Sequence, residues 1–300
     1  MKRIVSVSIG SSSRDHRVIM DIGGVRFSIE RIGTNGDIKK AIALIESLDG
    51  KVDAFGLGGI DLYLFGHGGR RYVLKSALPL VNAARQTPIF DGIWIKDTIE
   101  RDVVSFLHNE CDITLTGKKT FIVSAMDRLG MAESFAEFDS QLIIGDLMFA
   151  LGIPIPIYNI RTLHNIANVI MPVISRLPFK ILYPTGEMQR ATIEKFTKYY
   201  CQADIIAGDF LYIKKHMPKD MTGKIIVTNS ITEDDVVALR ERGVKLLVTS
   251  TPELEGRSFG TNVMEAMIRC IAGRASKELG ADGIRSLFSD MGFKYRVEYL

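Results

Sequence analysis

One stretch of the chain, residues 120–132, has the residue spacing of a dinucleotide-binding turn between a strand pattern and a helix pattern. Laid on the pattern Gly-x-Gly-x-x-Gly, its three glycine positions hold Ala125, Asp127 and Gly130. The next predicted strand ends at Asp146, about 20 residues further on, where such proteins carry a carboxylate for the adenosine ribose. We therefore predict a cofactor site formed by Ser124, Ala125, Asp127, Arg128, Gly130, Asp146 and Asp209.

The aspartates of this set alter the chemistry that the turn can support. At the second glycine position, a carboxylate repels the pyrophosphate that glycine would allow close to the backbone. Asp146 and Asp209 each follow a glycine at the end of an apolar run, so we expect all three carboxylates at one edge of a parallel sheet. Such a group suits ribose hydroxyls or a cation better than phosphate. Capping of the following helix is an equally good explanation for Asp127.

A second set of polar residues suits a small acidic substrate. Lys96 and Asp97 precede a predicted helix, and such a pair can perform acid–base chemistry at a hydroxyl-bearing or carbonyl carbon, although Asp97 as a helix N-cap is the alternative. After the last strand of the predicted parallel sheet, an arginine and hydroxyl residues begin a helix whose dipole favours a carboxylate, with capping by Thr261 as the alternative. The predicted catalytic residues are Lys96 and Asp97, and the predicted substrate-binding residues are His67, Arg257, Ser258, Thr261 and Asn262.

The composition is that of a globular protein with a small-molecule substrate. The chain has 300 residues, 38 basic and 35 acidic, and its net charge of +3 is too small to indicate a nucleic-acid partner. No segment has the roughly 20 uninterrupted apolar residues of a membrane span, and the first residues alternate like a strand. The three cysteines are far apart, so we expect reduced thiols, no metal site and a cytoplasmic location. A homodimer is one option for assembly.

Strand and helix patterns alternate along the second half of the chain, which predicts a parallel sheet with helices on both faces. The predicted fold is α/β, a Rossmann-like doubly wound parallel sheet preceded by a smaller α/β substrate domain. We place the substrate domain at 1–114 and the nucleotide-binding domain at 115–260, with an insertion at about 151–202. Residues 261–300 are expected to form helices that return to the N-terminal domain.

The order of motifs along the chain carries a family resemblance. A Gly-Lys-Lys sequence within Leu115–Lys119 leads into the strand, Gly130 and Ala132 lie in the turn, and a helix pattern covers 260–267. This layout resembles the shikimate/quinate 5-dehydrogenase-like superfamily. Further phrases at 143–147, 183–187 and 257–262 are similar to bacterial proteins catalogued as quinate 5-dehydrogenase-like.

The resemblance implies a two-domain, nicotinamide-dependent dehydrogenase whose substrate lies between the domains. Several motifs of the superfamily differ in this chain. The serines of the loop at 11–16 do not have the spacing of the superfamily's substrate loop. Asp97 lacks the preceding Asn-Thr, and the glutamine of the C-terminal helix is absent. The family's catalytic lysine has Lys75 and Lys96 as candidates. We therefore expect a small hydroxy or oxo acid other than quinate or shikimate.

Three functions remain open from the sequence. The first is an oxidoreductase that uses NAD or NADP, with NAD favoured because the Asp146 carboxylate would repel a 2′-phosphate. The second is a methyltransferase that binds S-adenosylmethionine, whose sulfonium attracts carboxylates and which has no pyrophosphate for Asp127 to repel. The third is a binding module without catalysis.

Overall fold

The computed structural model describes residues 1–65, 70–177 and 193–300, and in this part of the chain it contains two main β-sheets. His67 and the phrase at 183–187 lie outside the described residues. The three cysteines are free. Within the described ranges, every helix is too short or too polar to cross a lipid bilayer.

The first half of the chain forms a sheet of five strands. Its elements are β1 (Lys2–Ser8), β2 (His16–Ile22), β3 (Val25–Gly33), α1 (Ile38–Leu48), β4 (Ala54–Gly58), β5 (Tyr63–Phe65), β6 (Arg71–Val73), α2 (Leu78–Ala83) and β7 (Ile89–Phe90). The strand order is β2-β3-β1-β4-β7, with β1 parallel to both β3 and β4, and β5 pairs with β6 as a separate hairpin. From its third residue onward β1 is buried on both faces, as expected for a parallel strand with helices on each side.

The second half forms a sheet of six strands in the order β15-β12-β11-β10-β8-β9. Its elements are α3 (Ile93–Asp97), α4 (Ile99–Asn109), β8 (Lys119–Ile122), α5 (Leu129–Glu137), β9 (Gln141–Ile144), α6 (Asp146–Leu151), α7 (Ile160–Ile174), α8 (Thr197–Gln202), β10 (Ile205–Ala207), α9 (Phe210–His216), β11 (Ile225–Thr228), α10 (Glu233–Glu241), β12 (Leu246–Thr249), β13 (Glu253–Leu254), β14 (Arg257–Ser258), α11 (Thr261–Ala272), α12 (Ala281–Asp290) and β15 (Arg296–Tyr299). Five strands are parallel and β15 pairs antiparallel with β12. The predicted α/β, doubly wound fold is confirmed.

Each sheet has a point at which the order of its strands reverses. In the second sheet the chain passes from β8 to β9 on one side and then returns to β10 on the other side of β8. In the first sheet β3 and β4 lie on opposite sides of β1. Ligands of such sheets bind beyond the carboxyl ends of the strands at this reversal. In this chain, the carboxyl ends of β1 and β4 and the loops after β8 and β10 all border one cleft.

Within the described ranges, the chain passes between the two halves three times. The first crossing is at α3, because α4 packs its Val103 and Leu107 into the apolar core of the second sheet. The predicted boundary at residue 114 is therefore one helix too late. The second crossing leads to α11 and α12, which cover the first sheet with residues such as Met264 and Ile284, as predicted. The third corrects the prediction for the C-terminus, because β15 returns to the second sheet.

The insertion predicted at about 151–202 includes α7 and α8. The side chain of Asn159 caps the start of α7 by accepting a hydrogen bond from the backbone of Thr162. Leu163 of α7 is buried in the core of the second sheet. At least this part of the insertion is therefore built into the second domain.

The helix α11 lies against the first sheet and α3 without intervening side chains at two glycines. A Cβ atom on Gly92 would lie 2.4 Å from Oγ1 of Thr261, and one on Gly56 would lie 2.7 Å from Nδ2 of Asn262. Gly92 also has a φ of 88°, which L side chains rarely adopt. Both glycines are therefore required for α11 to reach the cleft edge of the first sheet.

We expect Gly92→Ala to lower the free energy of unfolding. An alanine in the left-handed conformation by itself costs about 1 kcal/mol, and the loss should be larger than that. The added methyl group has to displace α11, which adds about 1–3 kcal/mol. Gly24→Ala is the matched control, because Gly24 also has a positive φ (74°) but no neighbouring atom within 4 Å of a Cβ. Chemical denaturation of both variants checks the prediction, and equal losses of stability would contradict it.

Candidate functional site

The cleft between the two sheets is a cavity of about 790 Å³, a size typical of small-molecule sites. The first sheet contributes Ser8 from the end of β1 and Asp61 from the loop after β4. The second sheet contributes Asp127 from the loop after β8 and Asp209 from the start of α9. The reversal points of both sheets therefore place charged side chains around one space.

Lys96 lies at the floor of this cleft, on the short helix α3 that joins the two halves. Its side chain is 9% exposed, and its Nζ donates hydrogen bonds of 2.6 Å to Oδ1 of Asp61 and of 2.6 Å to Oδ1 of Asp127. Burial by itself would lower the pKa of Lys96, but the two carboxylates outweigh burial and raise that pKa above its usual range. Lys96 is thus a permanent cation that connects a carboxylate of each half.

The two carboxyl groups that hold Lys96 differ in their protonation. Burial raises the pKa of Asp61 to about 7, with the neighbouring Asp127 and Asp91 acting in the same direction and Lys96 opposing them. Burial would also raise the pKa of Asp127, but Lys96 and Arg128 outweigh it and hold that pKa well below its usual range. Of the two, Asp61 is therefore the group that can gain or lose a proton near neutral pH.

Arg128 forms the second buried cation of the site. Its side chain is 1% exposed, forms an ion pair with Asp127, and donates a hydrogen bond of 3.2 Å to Oδ2 of Asp209. Its Nε lies 2.9 Å from Oε2 of the fully buried Glu100, an ion pair without the alignment of a hydrogen bond. Asn229 donates to the same Oδ2 of Asp209, over 3.1 Å. The Arg128 side chain thus connects the loops after β8 and β10, the two strands at which the order of the second sheet reverses.

The charges of this network do not cancel when every group is ionised. Two cations, Lys96 and Arg128, face four carboxyl groups, those of Asp61, Asp127, Asp209 and Glu100. Burial raises the pKa of Glu100 as it does that of Asp61. In the described residues, no three Asp, Glu, His or Cys side chains are placed to hold a metal ion. Within this network the positive charge is carried by Lys96 and Arg128.

The structure does not place Asp146 in the cleft, where the predicted contact with a ribose would require it. Its side chain is buried away from the cleft, and its two oxygens accept hydrogen bonds of 2.8 Å from the backbone nitrogens of Ala125 and Met126. Burial raises its pKa to about 6, although these hydrogen bonds oppose the rise. Asp146 therefore uses its charge to fix the turn after β8.

The same geometry does not fit the pyrophosphate of a dinucleotide at this turn. The amides of Ala125 and Met126 that could bind a phosphate are already taken by Asp146, and Asp127 and Asp209 face the cleft as carboxylates. Ser124, Ala125 and Gly130 do not line the cleft. Gly130 instead allows α5 to approach α4, because a Cβ on it would lie 3.3 Å from Cβ of Arg101. Of the predicted cofactor residues, only Asp127, Arg128 and Asp209 line the cleft.

The structure also does not bring the two predicted catalytic residues, Lys96 and Asp97, together in the cleft. Consecutive residues of a helix point in different directions, and Asp97 does not line the cleft. Burial and the neighbouring Glu133 raise its pKa, while Arg101 opposes them. Asp97 does not cap a helix either, because it is the last residue of α3 and Thr98 precedes α4. The alternative of Asp127 as an N-cap is excluded, since Arg128 holds that position.

The predicted substrate-binding residues after the last parallel strand do line the cleft. Ser258 is buried with its hydroxyl 3.3 Å from that of Thr249, and Asn262 donates a hydrogen bond of 2.8 Å to Oγ of Ser6. Arg257 is half-buried and also faces the cavity. Thr261 lines the cleft without capping α11, whose N-cap is Gly260.

Asp61, Glu100 and Arg31 belong to or adjoin the cleft network but are not among the residues predicted from the sequence. Asp61 follows a glycine pair at the end of a strand, a signal that was available from the sequence. Glu100 lies on the buried, otherwise apolar face of α4, and Arg31 lies near the end of β3. The partners of both residues lie within their own half but are distant in sequence, such as Arg128 for Glu100 and Asp15 for Arg31, and local sequence has no signal for these pairs.

Comparison with solved structures finds distant similarity over most of the chain. L-tryptophan dehydrogenase from Nostoc punctiforme is 10% identical with a TM-score of 0.38, covering 97% of this chain and 79% of that chain. The arabinose-binding component of an ABC transporter from Shewanella sp. ANA-3 is 10% identical with a TM-score of 0.38, over 96% and 86% of the two chains. A sugar substrate-binding protein from Bordetella parapertussis 12822 is 11% identical with a TM-score of 0.35, over 93% and 80%. Similarity at this level does not bear on function.

Comparison with protein families assigns most of the chain to two families. No curated protein matches the chain. Residues 3–91 match a family described as domain of unknown function DUF8753, which ends just before α3. Residues 94–300, from α3 to the C-terminus, match a second family over more than half of the chain. The chain therefore belongs to the family described as domain of unknown function DUF8754.

Proposed function

We propose that the cleft binds a small hydroxy or oxo acid and that Asp61, next to the Lys96 ammonium group, accepts a proton from the hydroxyl oxygen of this ligand or returns it to the carbonyl oxygen, while Asp127 positions Lys96. The observation that carries the proposal is the position of Lys96. Its Nζ lies 2.6 Å from a carboxylate of each half, at the floor of a cavity of about 790 Å³. Perturbed titratable groups in a cleft at strand reversals are typical of catalytic sites.

Each group of the set has a distinct part in this chemistry. Lys96 remains protonated, so it donates a hydrogen bond to the ligand oxygen and stabilises negative charge that develops there. Asp61 has a pKa of about 7, which suits a group that accepts and returns a proton at neutral pH. Asp127 stays ionised and holds Lys96 in place. Arg257 faces the same cavity and pairs with the acidic group of the ligand.

A nicotinamide-dependent dehydrogenase is a second candidate, favoured by the location of the cleft at the strand reversal between β8 and β10. Because a pyrophosphate does not fit the 125–130 turn, NAD or NADP would have to bind elsewhere along this edge. S-adenosylmethionine, which has no pyrophosphate, and a binding role without catalysis are the further alternatives. We propose a cytoplasmic location for each of these, since the three cysteines are unpaired.

We expect at least one acid among glycerate, malate, pyruvate and 2-oxoglutarate to bind saturably in calorimetry. Asp61→Asn should weaken that binding roughly tenfold, because the amide no longer accepts the ligand proton as a charged group does. Asp21→Asn is the matched control, since Asp21 is exposed on β2 and outside the cleft. No binding of any of the four acids, or equal effects of both variants, would contradict the proposal.

The same calorimetry separates the alternative functions. Saturable binding of NAD or NADP that is weakened by Asp209→Asn would favour the dehydrogenase. Binding of S-adenosylmethionine alone would favour a methyltransferase. Binding of an acid that Asp61→Asn does not weaken, without turnover with NAD or NADP, would leave a binding protein.

We expect the stability of the protein to fall as the pH rises from 5 to 8. The folded-state pKa of Asp61 is raised to about 7, above the unfolded value of about 3.9, so its stabilising contribution is complete below pH 4 and is lost as the pH passes 7. Asp61→Asn removes this contribution and should flatten the fall of the melting temperature. Part of the fall in stability should persist in Asp61→Asn, because burial also raises the pKa of Glu265 to about 7. An unchanged pH profile in Asp61→Asn would contradict the assignment.

A further inference from the structure

Three arginines line the cleft in addition to the groups around Lys96. Arg14 lies in the short helical turn after β1, Arg31 near the end of β3, and Arg257 in β14 of the opposite half. All three line the same cavity, and Arg257 contacts the backbone of Arg14. In keeping with this proximity, and in addition to burial, the charges of Arg14 and Arg257 lower the pKa of Arg31, and the charge of Arg14 lowers the pKa of Arg257. They form a cationic cluster that draws on both halves of the molecule.

Arg31 is held in a fixed position within this cluster. Its Nη1 donates to the backbone oxygen of Ser11 over 2.9 Å and to Oδ1 of Asp15 over 2.8 Å, and its Nη2 donates to Oγ of Ser8 over 2.9 Å. Burial and the charge of Arg14 lower its pKa to about 10, although Asp15 opposes this. Arg31 therefore remains charged at neutral pH while it is crowded by other cations.

The cluster has more positive than negative charge. Arg257 donates to the backbone oxygen of Arg14 over 3.2 Å, and neither of these two guanidinium groups has a carboxylate within ion-pair distance among the described residues. Asp15 is paired with Arg31, which leaves a net charge of about +2 for the three arginines. Of the other acids that line the cavity nearby, Asp235 is paired with Lys214 over 2.6 Å. The remainder, Glu233, Asp234 and Glu255, are exposed to solvent.

We propose that this arginine cluster binds a phosphoryl group, so that the ligand of the cleft is a phosphorylated hydroxy or oxo compound. A phosphoryl group carries a charge of about −1.5 to −2 at neutral pH, which matches the excess of the cluster, whereas a single carboxylate leaves one arginine without a counter-charge. Planar guanidinium groups match phosphate oxygens in pairs. The hydroxyls of Ser11 and Ser13, which lie 2.8 Å apart at the same end of the cavity, supply further donors. The inference rests on the proposed function for the placement of the hydroxyl or carbonyl at Lys96.

The test is the binding of inorganic phosphate, measured by calorimetry at constant ionic strength. Arg14→Gln and Arg257→Gln should each weaken phosphate binding by roughly tenfold or more, since each removes a charge-assisted hydrogen bond. Arg17→Gln is the matched control, because Arg17 is an exposed arginine of β2 outside the cavity. Loss of binding in the first two variants with an unchanged control would support the site.

Three results would overturn the inference: no saturable phosphate binding, phosphate binding that is insensitive to Arg14 and Arg257, or binding of malonate as tight as that of phosphate. Malonate separates a phosphoryl site from a general site for dicarboxylates. Asp61→Asn distinguishes this inference from the proposed function, because it alters the Lys96 end of the cleft alone. Arginine-dependent phosphate binding in a protein that binds none of the hydroxy or oxo acids would support the cluster and contradict the proposed function.

Discussion

The contact on which the cleft depends is the bridge from Asp61 through Lys96 to Asp127. Each of the two hydrogen bonds is 2.6 Å long, and each carboxylate belongs to a different half of the molecule. Buried charges are costly unless they are paired and hydrogen-bonded. The bridge therefore fixes the spacing of the two sheet edges at the site where charged groups are needed for chemistry, and removal of any one member leaves the others uncompensated.

A second layer of contacts keeps this bridge in place. Arg128 joins the loops after β8 and β10 through its ion pairs with Asp127 and Asp209. Asp146 accepts hydrogen bonds from the backbone of the turn after β8. On the other side, Gly92 allows α11 to lie directly against the start of α3, the helix that carries Lys96. The position of the Lys96 ammonium group thus depends on the ion pairs of Asp127 and Arg128 and on the close contact between α11 and the start of α3.

Much of the fold could be predicted from the sequence, because the strands of the second sheet are apolar runs separated by amphipathic helices. The positions of Asp127 and Arg257 at one cleft were also predictable, since both follow parallel strands, whose carboxyl ends meet at one edge. The partners of the cleft residues could not be predicted. Lys96 pairs with Asp61, which is 35 residues away, and not with the adjacent Asp97. Asp146 binds backbone nitrogens that no sequence pattern identifies.

The return of β15 to the second sheet, after α11 and α12 have covered the first, makes the two halves interdependent during synthesis. The apolar cluster that contains Phe27 and Ile29 also includes residues near the C-terminus, such as Met264 and Ile284. A nascent chain that has released the whole first sheet still lacks these C-terminal residues, and domains that lack their covering helices are prone to aggregation. We infer that neither half is an autonomous folding unit, although the family boundary falls between them.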